Sequence, residues 1–293
     1  EAVGVNYADV LRRRNRYFMP TPLPYVLGAE AAGKIVATGE GVNGAFQEGV
    51  SVLAILPYGG GYSTYLVADA QYCVPLPPHI PAAKATALFV QGCTAHALLH
   101  HVAQDVAGKS VLIHAASGGV GSLLVQLANS AGAARVIGTG SSGAKLAAIS
   151  DFGASAAIDY TLPGWTDAVI AANAGKGVDF IFEMVGGDIY RQSFDCLAQG
   201  GTMVVYGAAS GQKGLIHSEH FVDESHNLLS FNLAHYIQYH PEKWQQTLGA
   251  VIGLVAGGQL HVSVANSYPL DQAAIAHRDL EQRKTTGKVV LLP

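Results

Sequence analysis

Charge is scarce in this chain. Of 293 residues, 13% are Asp, Glu, Lys or Arg, and 17 basic against 21 acidic side chains leave a net charge of -4. Without a basic excess there is no electrostatic footprint for nucleic acid as the main ligand. Cysteine is rarer still. Cys73, Cys93 and Cys196 are odd in number and widely spaced, so they give no disulfide framework and are expected as reduced thiols in the cytoplasm. Long hydrophobic runs are missing too, because glycine or polar residues break every candidate before membrane-spanning length. No secretory leader is read at the start, and there is no internal repeat or low-complexity tract.

What is plentiful is apolar: 49% of the residues, in a chain long enough to bury a core and divide into two domains. The central stretch is Ser110 to Ala128. Val111, Leu112 and Ile113 form the continuous apolar run of a buried parallel strand. It enters Ala116-Ser117-Gly118-Gly119-Val120-Gly121, and apolar side chains then recur at Val120, Leu123, Leu124 and Leu127, a helical spacing. Strand, glycine turn and helix in that order build a dinucleotide pyrophosphate site. The glycines admit backbone to the phosphates, and the helix start offers N–H groups with a favourable dipole. Ala116 stands where G-x-G-x-x-G has its first glycine; Gly118 and Gly121 hold the second and third places. Further buried strands are expected at Arg135–Thr139, Ala156–Ile158, Val178–Phe182 and Thr202–Tyr206, separated by helix-compatible sequence. That alternation predicts an open parallel sheet with helices on both faces. The alternative is an α/β domain whose glycines serve packing alone.

Ahead of this region, Glu1–Val5, Val26–Val36, Val50–Leu56 and Tyr62–Ala68 read as short strands between turns, an antiparallel and barrel-like pattern. Arg12, Arg13, Arg14 and Arg16 form either a phosphate or RNA patch or a solvated helix end. His96, His100 and His101 lie on a helix expected over Ala82–Gln104, and His217, His220 and His226 in a later loop. No carboxylate or cysteine completes a metal set, and His-Glu-x-x-His does not occur. Leu228–Leu233 is the expected last strand of the parallel sheet. As an exposed edge it predicts a two-fold homodimer. Beyond it come a helix from Pro241 to the Gly257-Gly258 stop, an extended Ala265–Leu270, a helix from Gln272 to Arg283 capped by Asp271, and a strand at Gly287–Leu292. Cofactor choice is read where the second parallel strand ends, in Gly138-Thr139-Gly140-Ser141-Ser142-Gly143-Ala144-Lys145. No Asp or Glu stands there to hold the ribose 2′-OH of NAD. Hydroxyls and a lysine suit a 2′-phosphate, which predicts NADPH; the alternative leaves Lys145 facing solvent.

The order of features resembles the medium-chain dehydrogenase/reductase superfamily and, within it, the zinc-independent quinone oxidoreductases related to ζ-crystallin. The matching pieces are Val5-Asn6-Tyr7-Ala8-Asp9 with Tyr17, Leu27-Gly28-Ala29-Glu30-Ala31-Ala32-Gly33, Ala115 to Gly121, and the tail from Tyr268-Pro269-Leu270 through Ala276-His277 and Leu280-Glu281 to Gly287-Lys288-Val289-Val290. They span nearly the whole chain. The resemblance implies a GroES-like antiparallel β catalytic domain, residues 1–91 and 234–293, split around a Rossmann NADPH-binding domain, residues 92–233. The active site is implied in the cleft between them. Family members begin earlier, so the N-terminus is expected to be incomplete. Zinc-dependent members carry a cysteine near the Asn6 position and Gly-His-Glu where Gly28-Ala29-Glu30 stands, so no metal is expected.

Position by position, the resemblance puts Asn6, Asp9, Tyr17 and Thr94 around nicotinamide and substrate, and Gly118, Gly119 and Val120 at the pyrophosphate. Ser142, Lys145 and Tyr160 match the 2′-phosphate pocket, Gly207 and Phe231 the ribose and nicotinamide, and Lys288 the adenosine side; Thr139 is counted with the cofactor residues. The implied activity is hydride transfer from NADPH to a small-molecule quinone or similar conjugated carbonyl, with Tyr17 or Asn6 (Tyr7 as substitute) donating a hydrogen bond to the developing oxyanion. Two other activities stay open. One is C=C reduction of an enal, enone or enoyl thioester; the other is a non-catalytic NADPH- or RNA-binding role supported by the arginine run.

Overall fold

The computed structural model describes residues 1–42, 44–212, 214–215 and 218–293. In chain order its strands are β1 (Ala2–Val5), β2 (Glu30–Lys34), β3 (Ser51–Ile55), β4 (Cys73–Pro75), β5 (Ser110–Ile113), β6 (Arg135–Gly140), β7 (Ala156–Asp159), β8 (Val178–Glu183), β9 (Leu197–Val205), β10 (Asn227–Ser230), β11 (Asn266–Pro269) and β12 (Val289–Leu292). The chain divides into two compact units, Glu1–Gly92 with Leu248–Pro293, and Cys93–Thr247. The sequence reading put the return to the first domain at residue 234; in the structure it falls inside the helix Pro241–Ala256.

In the first unit the strand order is β11-β12-β1-β2-β3-β4. Neighbours run antiparallel except β11 and β12, which are parallel. β1 is buried throughout, and its pairing Val3↔Leu291 and Val5↔Val289 brings the last strand against the first. Val3, Val5, Ala31, Ala54, Leu56, Ala276, Val289 and Leu291 make the core beneath. Tyr62–Ala68 is loop rather than the expected strand. Its alternation would need a partner on the far side, yet Val67 is 99% exposed, and the segment is tied back through Tyr62 N–H to the Leu27 carbonyl instead. Asp271 does not cap the late helix. It sits inside a tight turn, Leu270–Gln272, and the helix proper is Ala273–Glu281 with Gln272 at its N-cap.

The second unit is an all-parallel sheet in the order β10-β9-β8-β5-β6-β7. The apolar runs of β5, β6, β8 and β9 fill its core, with Leu112, Ile137, Ile181 and Met203 packed among Trp165, Tyr190 and Phe194. Chain order reverses between β5 and β8, the topological switch point beside which open α/β sheets bind ligands. β10 is an edge with Leu229 exposed, and it stops at Ser230 because the Asn232 side chain caps a new helix, Leu233–Tyr239, by accepting from the His235 N–H. Among the described residues no helix is long and apolar enough to cross a membrane. Nor do three or more His, Cys, Asp or Glu side chains converge as a metal would need; His217 lies outside the described residues.

Candidate functional site

The turn after β5 carries the phosphate-binding features. Gly118 N–H closes it onto the Ala115 carbonyl at 2.8 Å, and Gly118 is the N-cap of the helix Gly119–Ser130 with no side chain bonded across the cap. The first helical N–H groups, at Gly119, Val120 and Gly121, therefore have no intrahelical acceptor, and no acidic side chain shields the dipole in the first turn. Gly121 is required by packing: a Cβ there would lie 2.4 Å from the Ala115 oxygen and 2.7 Å from Ala116 Cα. The departure at Ala116 also has a cause. Gly138 on the neighbouring strand leaves room for its methyl group, since a Cβ at Gly138 would come within 2.7 Å of it.

At the same sheet end, Gly140 pairs with Asp159, so Ser141–Lys145 and Tyr160 leave adjacent strands side by side. Ser142 is the N-cap of the helix Gly143–Asp151, its side chain unused by the cap, and the first turn holds no acid. Gly207 and Phe231 follow the ends of β9 and β10, with Phe231 N–H bonded to the Val205 carbonyl. Thr94 opens a helical turn in this unit and is buried. Thr139 does not face a cofactor with its side chain. It is fully buried, and its hydroxyl lies 2.9 Å from His114 Nδ1, whose Nε2 lies 2.9 Å from the Ser193 hydroxyl. Burial pushes the His114 imidazole down to about 3, so it stays neutral in the core.

The first unit holds a different arrangement, centred on a fully buried ion pair between Lys288 Nζ and Glu30 Oε1 at 2.5 Å. Asn6 completes it, its Nδ2 donating to Glu30 Oε1 at 2.7 Å and its Oδ1 accepting from Lys288 at 3.2 Å. The second Glu30 oxygen accepts from Val90 N–H. Gly4 makes the space: a Cβ there would lie 2.5 Å from Glu30 Oε1 and 2.7 Å from Lys288 Nζ. Asp9 is buried one helical turn away and accepts from the N–H groups of Asn6 and Gly28. Burial raises its carboxyl to about 6 against those two bonds. Lys288, expected on the adenosine side, instead has its charge matched inside this unit by Glu30. Asn6 has its amide oxygen and one amide N–H engaged in the same cluster.

Tyr17 is half-buried, and burial raises its hydroxyl above the ordinary value although the Arg12 guanidinium beside it acts the other way. Arg13 and Arg14 both pair with Glu281, at 2.7 and 2.6 Å, so the arginine run is largely an anchored helix end. Three features were not assigned from sequence: the Glu30 partner of Asn6, the 2.8 Å contact of the Tyr62 hydroxyl with His277, and the seat of Arg12. Glu30 was the visible signal. A carboxylate inside an apolar strand must be paired, and Lys288 is the cation opening the other buried strand.

Comparison with known proteins agrees with both units. Residues 1–78 match the family described as alcohol dehydrogenase GroES-like domain, and residues 152–291 the one described as zinc-binding dehydrogenase. A 2-haloacrylate reductase from a Burkholderia species is 34% identical over 100% of this chain and 89% of its own length. A probable quinone oxidoreductase from Schizosaccharomyces pombe is 33% identical over 99% and 86%. The chain belongs to the quinone oxidoreductase family of the medium-chain dehydrogenases/reductases. The solved Escherichia coli quinone oxidoreductase complexed with NADPH superposes with a TM-score of 0.91 at 31% identity, covering 100% of this chain and 90% of that one. This family member does not fit the zinc in the matched description: Glu30 is neutralised by Lys288 and Asn6, and no metal-holding cluster occurs among the described residues.

Proposed function

We propose that the protein is an NADPH-dependent reductase of quinones or similarly conjugated carbonyls. One observation carries this: the switch-point turn with its unacceptored N–H groups ends beside a strand pair that offers Ser142, Lys145 and Tyr160 to a 2′-phosphate, with the Asp159 carboxylate turned to the Thr161 N–H and hydroxyl. Gly119, Val120 and Gly121 would hold the pyrophosphate, and Thr94, Gly207 and Phe231 would border the nicotinamide. When bound, NADPH supplies a hydride to the acceptor, which also takes up a proton, and NADP⁺ leaves. Tyr17, protonated at neutral pH, donates to the oxygen on which charge develops, and Asp9 and Asn6 hold the segment that carries it.

The similarity to a 2-haloacrylate reductase supports C=C reduction as a second reading. That chemistry puts a proton on carbon, and Tyr17→Phe would then nearly abolish turnover. An RNA-binding role loses its local support, because Glu281 engages two of the four arginines. The free thiols suit the cytoplasm, and pairing of β10 edges suits a homodimer, which light scattering would register as twice the chain mass.

The test is NADPH oxidation with an ortho-quinone, run in parallel with NADH. Turnover with NADPH well above NADH is expected. Faster turnover with NADH would remove the 2′-phosphate argument, and none with either would leave the C=C reading.

A further inference from the structure

We infer that Arg12 is a carboxylate-recognising group, and that the physiological acceptor is an acid whose reducible double bond is conjugated to that carboxylate. The inference rests on the reductase reading and narrows its substrate. Of the four arginines in this stretch, Arg13 and Arg14 are paired with Glu281, and Arg16 is exposed. Arg12 is different. It is half-buried, its guanidinium carbon 4.2 Å from the centre of the Tyr17 ring and 5.1 Å from that of Tyr25. Among the described residues no carboxylate stands within ion-pair distance of it; its side chain donates to the Tyr17 hydroxyl and, over a long 3.4 Å, to the Thr21 hydroxyl, which leaves further guanidinium N–H groups for an anion. The nearby acids are already engaged: both Asp9 oxygens accept backbone N–H groups, and Glu30 is held by Lys288.

Two aromatic faces strip water from the guanidinium and fix its plane, so less ordering is left for a planar anion to impose. The same geometry ranks the anions. One cation with ionised Asp9 close to its tyrosines matches a monoanion and disfavours a phosphate dianion. The adjoining loop is apolar and open, with Phe18 and Met19 exposed and Phe18 against the Tyr17 ring, which suits a small acid of low polarity. Because Arg12 touches Tyr17, a carboxylate held there would place its conjugated carbons next to the proposed oxyanion donor. The reduction is the two-electron one already described. The C=C π bond breaks, two C–H bonds form from one hydride and one proton, NADPH becomes NADP⁺, and the carboxylate is returned unchanged.

The experiment compares 2-chloroacrylate with its neutral amide on the full chain carrying NADP⁺, by titration calorimetry, and then in turnover with NADPH as the reductant. The acid is expected to bind about tenfold or more tightly than the amide, the worth of one charge-assisted bidentate contact. Arg12→Gln should bring that ratio towards one and Arg12→Lys should keep part of it. Arg16→Gln, an equal change of net charge on the same segment, should leave it alone. A ratio near one in the wild type, or an unaltered ratio in a folded Arg12→Gln, would overturn the inference. A chain that reduces para-benzoquinone without preferring the acid sinks this inference and keeps the reductase reading. A chain that reduces nothing sinks the reading, while the binding ratio still decides on Arg12.

Discussion

The two units place their proposed working atoms differently. In the parallel-sheet unit they are backbone N–H groups at Gly119–Gly121, and the buried polar side chains nearby, His114, Thr139 and Ser193, form a neutral set turned into the core. In the other unit they are side chains, and what orients them is a charged cluster, Lys288 with Glu30 and Asn6, with no exposure to water. A phosphate needs N–H groups that any residue supplies, so shape is the whole requirement and glycine meets it. An acceptor needs particular functional groups held at particular places, and here the holding is electrostatic. One site should therefore fail sterically and the other by stranded charge.

The largest expected effect follows from that charge. Lys288→Met leaves the Glu30 carboxylate buried and unpaired, a loss of about 3–5 kcal/mol of stability. Adding Glu30→Gln should restore much of it, because no charge is then stranded. Denaturant midpoints of the single and double variants at neutral pH check this. A single variant within about 1 kcal/mol of wild type would mean that the ion pair does not hold the unit together.

Protonation separates the two clusters next. Asp9 rises from 3.8 to about 6 in the fold, so the native state keeps a proton that the unfolded chain has released between those values. Its stabilisation is present below the lower value and is lost as pH rises through the upper one, on the order of 3 kcal/mol. His114 works in the opposite sense. Lowered from 6.5 to about 3, it contributes stability above 6.5 that is lost as pH falls. His96 and His277, each lowered to about 4, act with it. Three lowered imidazoles outweigh one raised carboxyl, so the melting temperature should be lower at about pH 5 than at about pH 7.5. Asp9→Asn should steepen that drop. A wild type that melts higher at the acidic pH would reverse the ranking.

These contrasts also explain what could be read from the chain beforehand. The parallel sheet was legible because Val111–Ile113 and its companion strands are apolar runs, and the turn at Gly118–Gly121 is local. The strand end that leads to Ser142 and Lys145 was legible as well. Thr139 was not. A threonine at a strand end can face either way, and the buried His114 across β5 decides it. Lys288 was misplaced for a related reason: its partner is 258 positions away, and only the pairing of β12 with β1 and of β1 with β2 brings the two together. Tyr62–Ala68 shows the limit of alternation, which marks a strand only where a neighbouring strand exists to receive it.

Steric failure should be the milder of the two. At Gly121 an added Cβ meets backbone, the Ala115 oxygen at 2.4 Å, and backbone cannot rotate away as a side chain would. Gly121→Ala is expected to cost about 1–3 kcal/mol of stability through overpacking, and to weaken NADPH binding with it. Thermal melts and cofactor fluorescence titration read both. Loss of stability with unchanged NADPH affinity would separate the turn's packing role from its ligand role.

The smallest effect tests the 2′-phosphate end. Lys145 stands in the first turn of the helix that Ser142 caps, on the strand whose Gly140 pairs with Asp159 next to Tyr160. The Asp159 carboxylate is turned to the Thr161 N–H and hydroxyl, which hold it below its usual range and ionised. An ionised acid so close to the pocket makes a cation there more necessary, because the phosphate would otherwise meet like charge alone. Lys145→Met should therefore lower the preference for NADPH over NADH about tenfold in Kd ratio, roughly 1.4 kcal/mol, with the larger change in the NADPH constant. The shift should shrink as salt rises, since the contact lies at the surface. An unchanged ratio at low salt would assign the discrimination to Ser142 and Tyr160, and Lys145 would then be a solvated helix residue.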